Sequence, residues 1–475
     1  MIEKLLCHRS KTLLDALQLF NENGKGAVFV VDDLGKVCGV LTDGDVRRWF
    51  LQGKELQSRV EGIIQAEFVF AKRTESREEI FNKLNEKIRI LPIVDDAMRV
   101  VDYVEFRGSI HVPIASPDLK GNELKYLIDA FLSTWISSKG KYIERFEKEF
   151  ARFIGARYAV ANTNGTTSLH LALLACGIGP GDEVIVPDLT FAATINAVIH
   201  ANARPVIVDV ELDSWGIDPL EIEKAITSRT KAIIPVHLYG QPCNMGAIKT
   251  IARKHGLFVI EDCAEAHGAL YGGQKVGSIG DIGCFSFFGN KVITCGEGGM
   301  CVTNNKEAYG LMCQIRDHGM SLQKRYWHDR VGYNYRMTNL QAAIGVAQLE
   351  RVDEILRVRE SLENQYRFLL ADLDHVELQR NDFPDRKKIT WLVSILVDRD
   401  VVETISGKLK ERGFDVRRFF YPLSEMDIYK KYVFSNVNSR DISNRGLSLP
   451  TGAGITEKMV SDIVAVIKEK GASDP

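Results

Sequence analysis

Phe258 to Gly299 reads FVIEDCAEAHGALYGGQKVGSIGDIGCFSFFGNKVITCGEGG, and this stretch carries the decision about fold class. It opens on an apolar run, Phe258-Val259-Ile260, that ends at once on two acids, Glu261 and Asp262. In an open α/β sheet ligands gather beyond the carboxyl ends of the strands, so an acid in that place faces a site rather than the core. A carboxylate there can keep a heteroaromatic ring nitrogen protonated and turn the ring into an electron sink. Further on, Lys291 stands in the glycine-flanked loop SFFGNK. An amine in a partly desolvated pocket loses some of its preference for the charged form and can form a Schiff base. Taken singly, each residue has an ordinary explanation, because an acid after a strand commonly caps a turn and a lysine is commonly a solvated surface charge.

Outward from this stretch, strand-like and helical segments alternate. YAVANTN from Tyr158 precedes a helix from Thr166, and DEVIVPD precedes a helix near Ala192; PVIVDV, KAIIPVHLYG and then FVIEDC follow, the last after a helix ending near His255. Strands rich in Val and Ile on both faces and separated by helices predict a largely parallel sheet buried between helical layers. After an amphipathic stretch from Gln348 to Leu373 the pattern changes to an isolated strand, ITWLVSILV, and a helix, VVETISGKLKERG, which predicts a smaller α+β domain. Upstream, periodicity lapses between Arg107 and Pro117, and a helical stripe of Leu124, Leu127, Ile128 and Phe131 follows. The predicted division is 1–108, a linker 109–117, a large domain 118–350 and a small domain 351–475.

The first hundred residues hold a repeat. GAVFVVDDLGKVCGVLTDGD, from Gly26 to Asp45, aligns without gaps on RILPIVDDAMRVVDYVEFRG, from Arg89 to Gly108. Each copy has an apolar strand ending in Val-Asp-Asp (Val31 to Asp33, Val94 to Asp96), a turn and a second apolar strand. Thr42-x-x-Asp45 follows the first copy, where the second offers Glu105 and Gly108; Thr and Asp before a helix ordinarily cap it.

Composition excludes several classes. Sixty-one basic against 63 acidic residues give a formal charge of −2, so no polyanion-binding surface is marked and nucleic acid is not an expected partner. No apolar run approaches the roughly 20 residues that span a bilayer, and the N-terminus lacks a cleavable apolar leader, so no membrane association and a cytoplasmic location are expected. Nine cysteines without a CxxC pair argue against a zinc site or a disulfide framework, and no metal is expected.

The strings EDCAEAHG, GDIGCFSFFGNKVITCGEGGM, VGYNYRMTNLQAAIGVAQLE, WISSKGKYIERFE and NGTTSLHLAL resemble the DegT/DnrJ-type sugar-nucleotide aminotransferases, over roughly Ile110 to Gly471. The first hundred residues resemble a pair of cystathionine-β-synthase-type (CBS) repeats. The resemblance implies a fold-type I pyridoxal-phosphate enzyme preceded by an α/β CBS pair. Position by position, it implies Lys291 as the Schiff-base lysine and general base and acid, and Asp262 as partner of the pyridinium nitrogen. Phe191 would stack on the ring, Gly165, Thr166 and Thr167 would bind the cofactor phosphate at a helix start, and Ser286 would add a further phosphate bond. Asn334 would reach the phosphate of a neighbouring subunit, which implies a homodimer or larger homo-oligomer. Thr42 and Asp45 would hold an adenine nucleotide.

Many members of the family have Gln where this chain has Glu265, counted among the cofactor-site residues. Perosamine-type members carry Glu there and share the look of FSFFGNK and of Arg325 to Asn339. The implied reaction moves an amino group from L-glutamate to a nucleotide-linked 4-keto-6-deoxy sugar, GDP-4-keto-6-deoxymannose first, with UDP- or dTDP-linked ketones as alternatives. Related dehydratases typically replace the lysine by His, so Lys291 favours amino transfer, and a non-catalytic regulatory protein could have lost the site altogether.

Overall fold

The computed structural model describes residues 2–53, 55–62, 64, 68–85, 88–105 and 111–469. The chain divides into two compact units, Met1–Ile110 and His111–Pro475. Gly108, the second repeat's counterpart of Asp45, lies outside the described residues, as do positions 109–110 of the expected linker and 470–475 at the end of the expected small domain.

In the first unit the repeat is physical. One three-stranded sheet joins Leu6–His8, Ala27–Val31 and Val37–Thr42; the other joins Ala71–Lys72, Ile90–Val94 and Val100–Glu105. In both, the first strand pairs parallel and the third antiparallel to the middle one, and the register slips at the same place, between Val30 and Val31 and between Ile93 and Val94. The Val-Asp-Asp motif explains the turns. The Asp32 carboxylate accepts from the N–H groups of Leu34 and Lys36 (both 2.9 Å), and Asp95 does the same for Ala97 and Arg99 (2.9 and 2.8 Å). A short side chain that satisfies its own hairpin's donors fixes the turn wherever it recurs. The two sheets share a core through Phe29, Val37, Ile90 and Val94.

The second unit is built on a seven-stranded sheet in the order Tyr158–Asn162, Gly299–Thr303, Ile282–Ser286, Phe258–Asp262, Thr230–Ile233, Glu183–Pro187, Arg204–Val208. All neighbours run parallel except Gly299–Thr303, antiparallel to both of its partners. Helices cover both faces and two apolar clusters fill the space on either side. Lys141–Ile154 buries Tyr142, Ile143, Phe146, Phe150 and Ile154, at helical spacing, and stops at Gly155, whose φ of 87° suits glycine. In Gly165–Ala175 every residue from Ser168 to Leu173 is buried, as in a helix covered on several sides.

A four-stranded antiparallel sheet, in the order Val376–Leu378, Val393–Val397, Gly446–Leu449, Arg417–Arg418, forms the smaller part. Val352–Leu370, Val402–Glu411 and Glu457–Lys468 pack on it. Gln348 to Leu373 is not one continuous helix: Asn339–Glu350 ends and Val352–Leu370 begins at Arg351, whose guanidinium pairs with Asp118 at 3.0 Å. The stripe Leu124, Ile128, Phe131 does lie on one helix, Glu123–Leu132, but those side chains stand exposed. No helix among the described residues is long and apolar enough to cross a membrane. All nine cysteines are free thiols.

Candidate active site

The strand Phe258–Asp262 ends against the rest of the site for a definable reason. Glu261, fully buried, accepts from the backbone N–H groups of Gly277, Ile279 and Gly280 (2.6 to 2.8 Å) and meets His237 Nε2 at 3.0 Å. That ties the strand end to the loop leading into Ile282–Ser286, the strand that carries the chain toward Lys291. The next side chain, Asp262, points the other way. Its carboxylate accepts from the Thr194 hydroxyl at 2.9 Å and from the Ala264 N–H at 3.2 Å, and burial pushes its pKa up. Thr194 is itself held by the Thr190 hydroxyl at 2.9 Å.

Asp262 borders a cavity of about 430 Å³. Of the residues expected from sequence, Gly165, Thr166, Phe191, Glu265, Ser286 and Lys291 line it as well. Lys291 Nζ lies 3.7 Å from Glu265 Oε1 and 4.1 Å from the centre of the Trp391 ring. Burial lowers the lysine pKa against the opposing pull of Glu265 and Asp262. Burial raises the Glu265 carboxyl to about 7, while Lys291 and the Tyr239 N–H, which donates to Oε2 at 2.9 Å, hold it back.

Gly165 opens the helix Gly165–Ala175, with Asn164 as its cap. A Cβ at Gly165 would come within 2.8 Å of the Ser286 Cβ, so the hollow between helix start and strand end exists only because the residue is glycine. A helix N-terminus offers unpaired N–H donors to an anion, and here the Ser286 side chain stands across from it. Thr167 differs from its expected place. Its hydroxyl bonds Thr163 (2.9 Å), Asn162 (3.1 Å) and the Asn164 carbonyl (2.9 Å), and it is not among the residues lining the cavity. The capping box with Asn164 uses it inside the helix start. Asn334 also lies away from this chain's cavity, exposed, its Oδ1 accepting from Arg336 Nε at 3.0 Å.

Sequence reasoning did not find Trp391, Phe420 and Arg417, all lining residues contributed by the smaller part. Trp391 donates its indole N–H to the Asn290 carbonyl at 2.8 Å, beside Lys291, and Phe420 lies 5.7 Å from Phe191. Trp391 lay within the run read as a strand, ITWLVSILV, where an indole needing a partner was the one available signal.

Thr42 and Asp45 are engaged with each other. The Thr42 hydroxyl donates to Asp45 Oδ2 at 2.6 Å, the Thr42 N–H does so at 2.9 Å, and together they cap Asp43–Leu51. Thr12 with Asp15 and Ser76 with Glu79 form the same box elsewhere in the unit.

The residues fit pyridoxal phosphate. The buried Asp262 can take a pyridinium N–H, Lys291 lies within the same cavity, and the hollow at Gly165 suits a phosphate. Residues 117–468 match the model of the DegT/DnrJ/EryC1/StrS aminotransferase family, and residues 1–52 match a CBS domain. The chain is 45% identical over 362 residues to a GDP-perosamine synthase of Caulobacter vibrioides, covering 75% of this chain and 98% of that protein. A GDP-perosamine synthase of Escherichia coli O157:H7 is 43% identical over 76% of this chain and 98% of its own length. Among solved structures, DesV of S. venezuelae, in complex with a ketimine intermediate, superposes with TM-score 0.71 at 32% identity, over 74% of this chain and 95% of that one. With the lysine, the buried acid and the glycine hollow meeting in one cavity, and with the match running from residue 117 to 468, this chain is a pyridoxal-phosphate-dependent member of the DegT/DnrJ/EryC1/StrS aminotransferase family.

Proposed function

We propose that this enzyme transfers the amino group of L-glutamate to the C4 ketone of a GDP-linked 4-keto-6-deoxyhexose. The observation that carries this reading is the 45% identity to a GDP-perosamine synthase across 98% of that protein's length. Glu265 in the cavity, in place of the commoner Gln, supports the same choice.

Bound pyridoxal phosphate supplies a ring that withdraws electrons from the carbon losing its proton. The protein's part is to hold and to move protons. Asp262, buried and fixed by Thr194, keeps the ring nitrogen protonated. Lys291, its pKa lowered by burial, takes a proton from the donor's α-carbon and returns it on the other side of the exchange. Gly165, Thr166 and Ser286 receive the phosphate, and Phe191 covers one ring face. Thr167 shapes the helix start from behind. Exposed Asn334 is available to a second copy's phosphate, which supports a homodimer. In this reading residues 118–350 carry the cofactor, 351–475 close over it and 1–108 form the appended pair. Thr42 and Asp45 act there as a cap. Nine free thiols suit a reducing, cytoplasmic setting.

The test is the visible absorbance of the cofactor-loaded protein. L-glutamate alone bleaches it, and GDP-4-keto-6-deoxymannose then restores it. Bleaching without restoration by that sugar, but with restoration by a UDP- or dTDP-linked ketone, refutes the nucleotide assignment. Absence of bleaching refutes amino transfer.

A further inference from the structure

Arg359, on the helix Val352–Leu370, is a buried cation that no acid answers. It is 4% exposed, makes no ion pair among the described residues, and burial pulls its pKa down to about 10. The acid one turn along, Glu363, is taken by Arg367 at 2.6 Å and by Lys388 at 2.9 Å. Arg359 donates instead to the carbonyls of Trp391 at 2.7 Å and Thr451 at 3.4 Å. A guanidinium buried without a counter-charge costs stability, and here its short contact is to a residue of the active cavity.

Trp391 is held from several sides. Arg359 fixes its carbonyl, its indole N–H donates to the Asn290 carbonyl at 2.8 Å, and its ring lies 15° from parallel to the buried Tyr239 ring, 6.0 Å between centres. The ring so fixed has Lys291 Nζ over it, 4.1 Å from its centre.

Lys291 becomes an ammonium each time it takes the donor's α-proton, the electron pair of the broken C–H bond passing to the bound ring. Burial penalises that ammonium. Asp262 and Glu265 attract it, Glu297 and Arg417 border the same cavity, and His267 stays neutral, its pKa lowered to about 3 by burial first and Lys291 second. Asp262 is committed to the ring nitrogen, and Glu265, raised to about 7 by burial, gives up part of its charge near neutrality. An aromatic face attracts a cation through its quadrupole and does not titrate. It also holds the cation less tightly than a carboxylate does, so the proton can be passed on.

We propose that the indole face of Trp391 seats the Lys291 ammonium during proton transfer, and that Arg359 is the positioning residue that sets this face, a reading that rests on the aminotransfer assigned above.

The experiment uses the full chain freed of cofactor and follows the pH midpoint at which Lys291 condenses with pyridoxal, an aldehyde lacking the phosphate. Only the neutral amine reacts, and K291A supplies the background from other lysines. W391L removes the face, W391F keeps a weaker one, and R359M and R359K remove or loosen the hold on it. The expected result is a midpoint lowered by about half to one pH unit in W391L and by less in W391F, the scale of losing a cation–π contact. R359M should shift it in the same direction, R359K by less, and R359M should add nothing in a W391L background. In the cofactor-loaded chain W391L should bleach more slowly at saturating L-glutamate, with a larger effect of α-deuteration of the donor. A W391L midpoint within about 0.2 pH unit of the parent overturns the proposal. So does a rise, which would mean that the ring only excluded water. If R359M does not fold, R359K decides: a lowered melting temperature with an unmoved midpoint removes Arg359 from the positioning role. The midpoint uses no L-glutamate, so failure of aminotransfer and failure of this proposal are read separately.

Discussion

Replacing Glu265 by Gln should remove a pH dependence of stability whose size the structure supplies. Glu265 is 5% exposed, its Oε2 accepts the Tyr239 N–H at 2.9 Å and its Oε1 lies 3.7 Å from Lys291. Burial outweighs both partners and raises the carboxyl from 4.5 to about 7. An acid bound more tightly to its proton in the folded chain than in the unfolded one contributes stability that is complete below about pH 4.5 and is lost as pH rises through about 7. A displacement of that size corresponds to about 3 kcal/mol. Gln keeps the acceptor for Tyr239 and cannot ionise, so E265Q escapes the loss. The stability of E265Q relative to the parent should therefore grow by about 3 kcal/mol between pH 4.5 and 7.5 and then level off. In a unit of roughly 360 residues, with a melting entropy of about 0.75 kcal/mol/K, that is about 4 °C in midpoint. The assay is thermal melting of both proteins, freed of cofactor, across that range. A difference that stays flat, or that falls toward alkaline pH, would refute an inventory in which Glu265 is buried and ionises at a cost.

Three further outcomes follow from the geometry. K291A should keep its far-UV circular dichroism while losing turnover and the visible band on mixing with pyridoxal phosphate; residual turnover near the parent rate would remove Lys291 from its role. G165A, whose new Cβ would meet the Ser286 Cβ at 2.8 Å, should weaken cofactor binding at least about tenfold and cost about 1 to 3 kcal/mol, read by cofactor titration and melting; an unchanged dissociation constant would mean the hollow holds no phosphate. T42A should lower the stability of the N-terminal unit by about 1 kcal/mol in denaturant unfolding, as loss of a cap does. An unchanged midpoint together with lost adenine-nucleotide binding would instead return Thr42 to a ligand role.

Sequence by itself determined the layout of this protein. Runs of Val and Ile on both faces between helical segments can be buried only as a parallel sheet between helices, and the strand order bears that out. The repeat with its Val-Asp-Asp turns was equally legible, because Asp32 and Asp95 act on donors two and four residues away. Lys291 and Asp262 stood out as candidates through the motifs around them, and the fold sets both on one cavity. What lay beyond sequence was every relation set by the approach of distant segments. Thr166 reaches the cavity and Thr167 does not, because the cap that opens their helix consumes the second hydroxyl. At the break between the two helices, Arg351 meets Asp118, far away in the chain, at 3.0 Å. Phe420 and Arg417 carry no local signal and Trp391 only an indole in need of a partner; they become site residues only when the smaller part of the second unit sets them at the cavity. Local periodicity and turn chemistry act through neighbours in sequence, whereas the charge and shape of a cavity are sums over side chains that only the folded chain assembles.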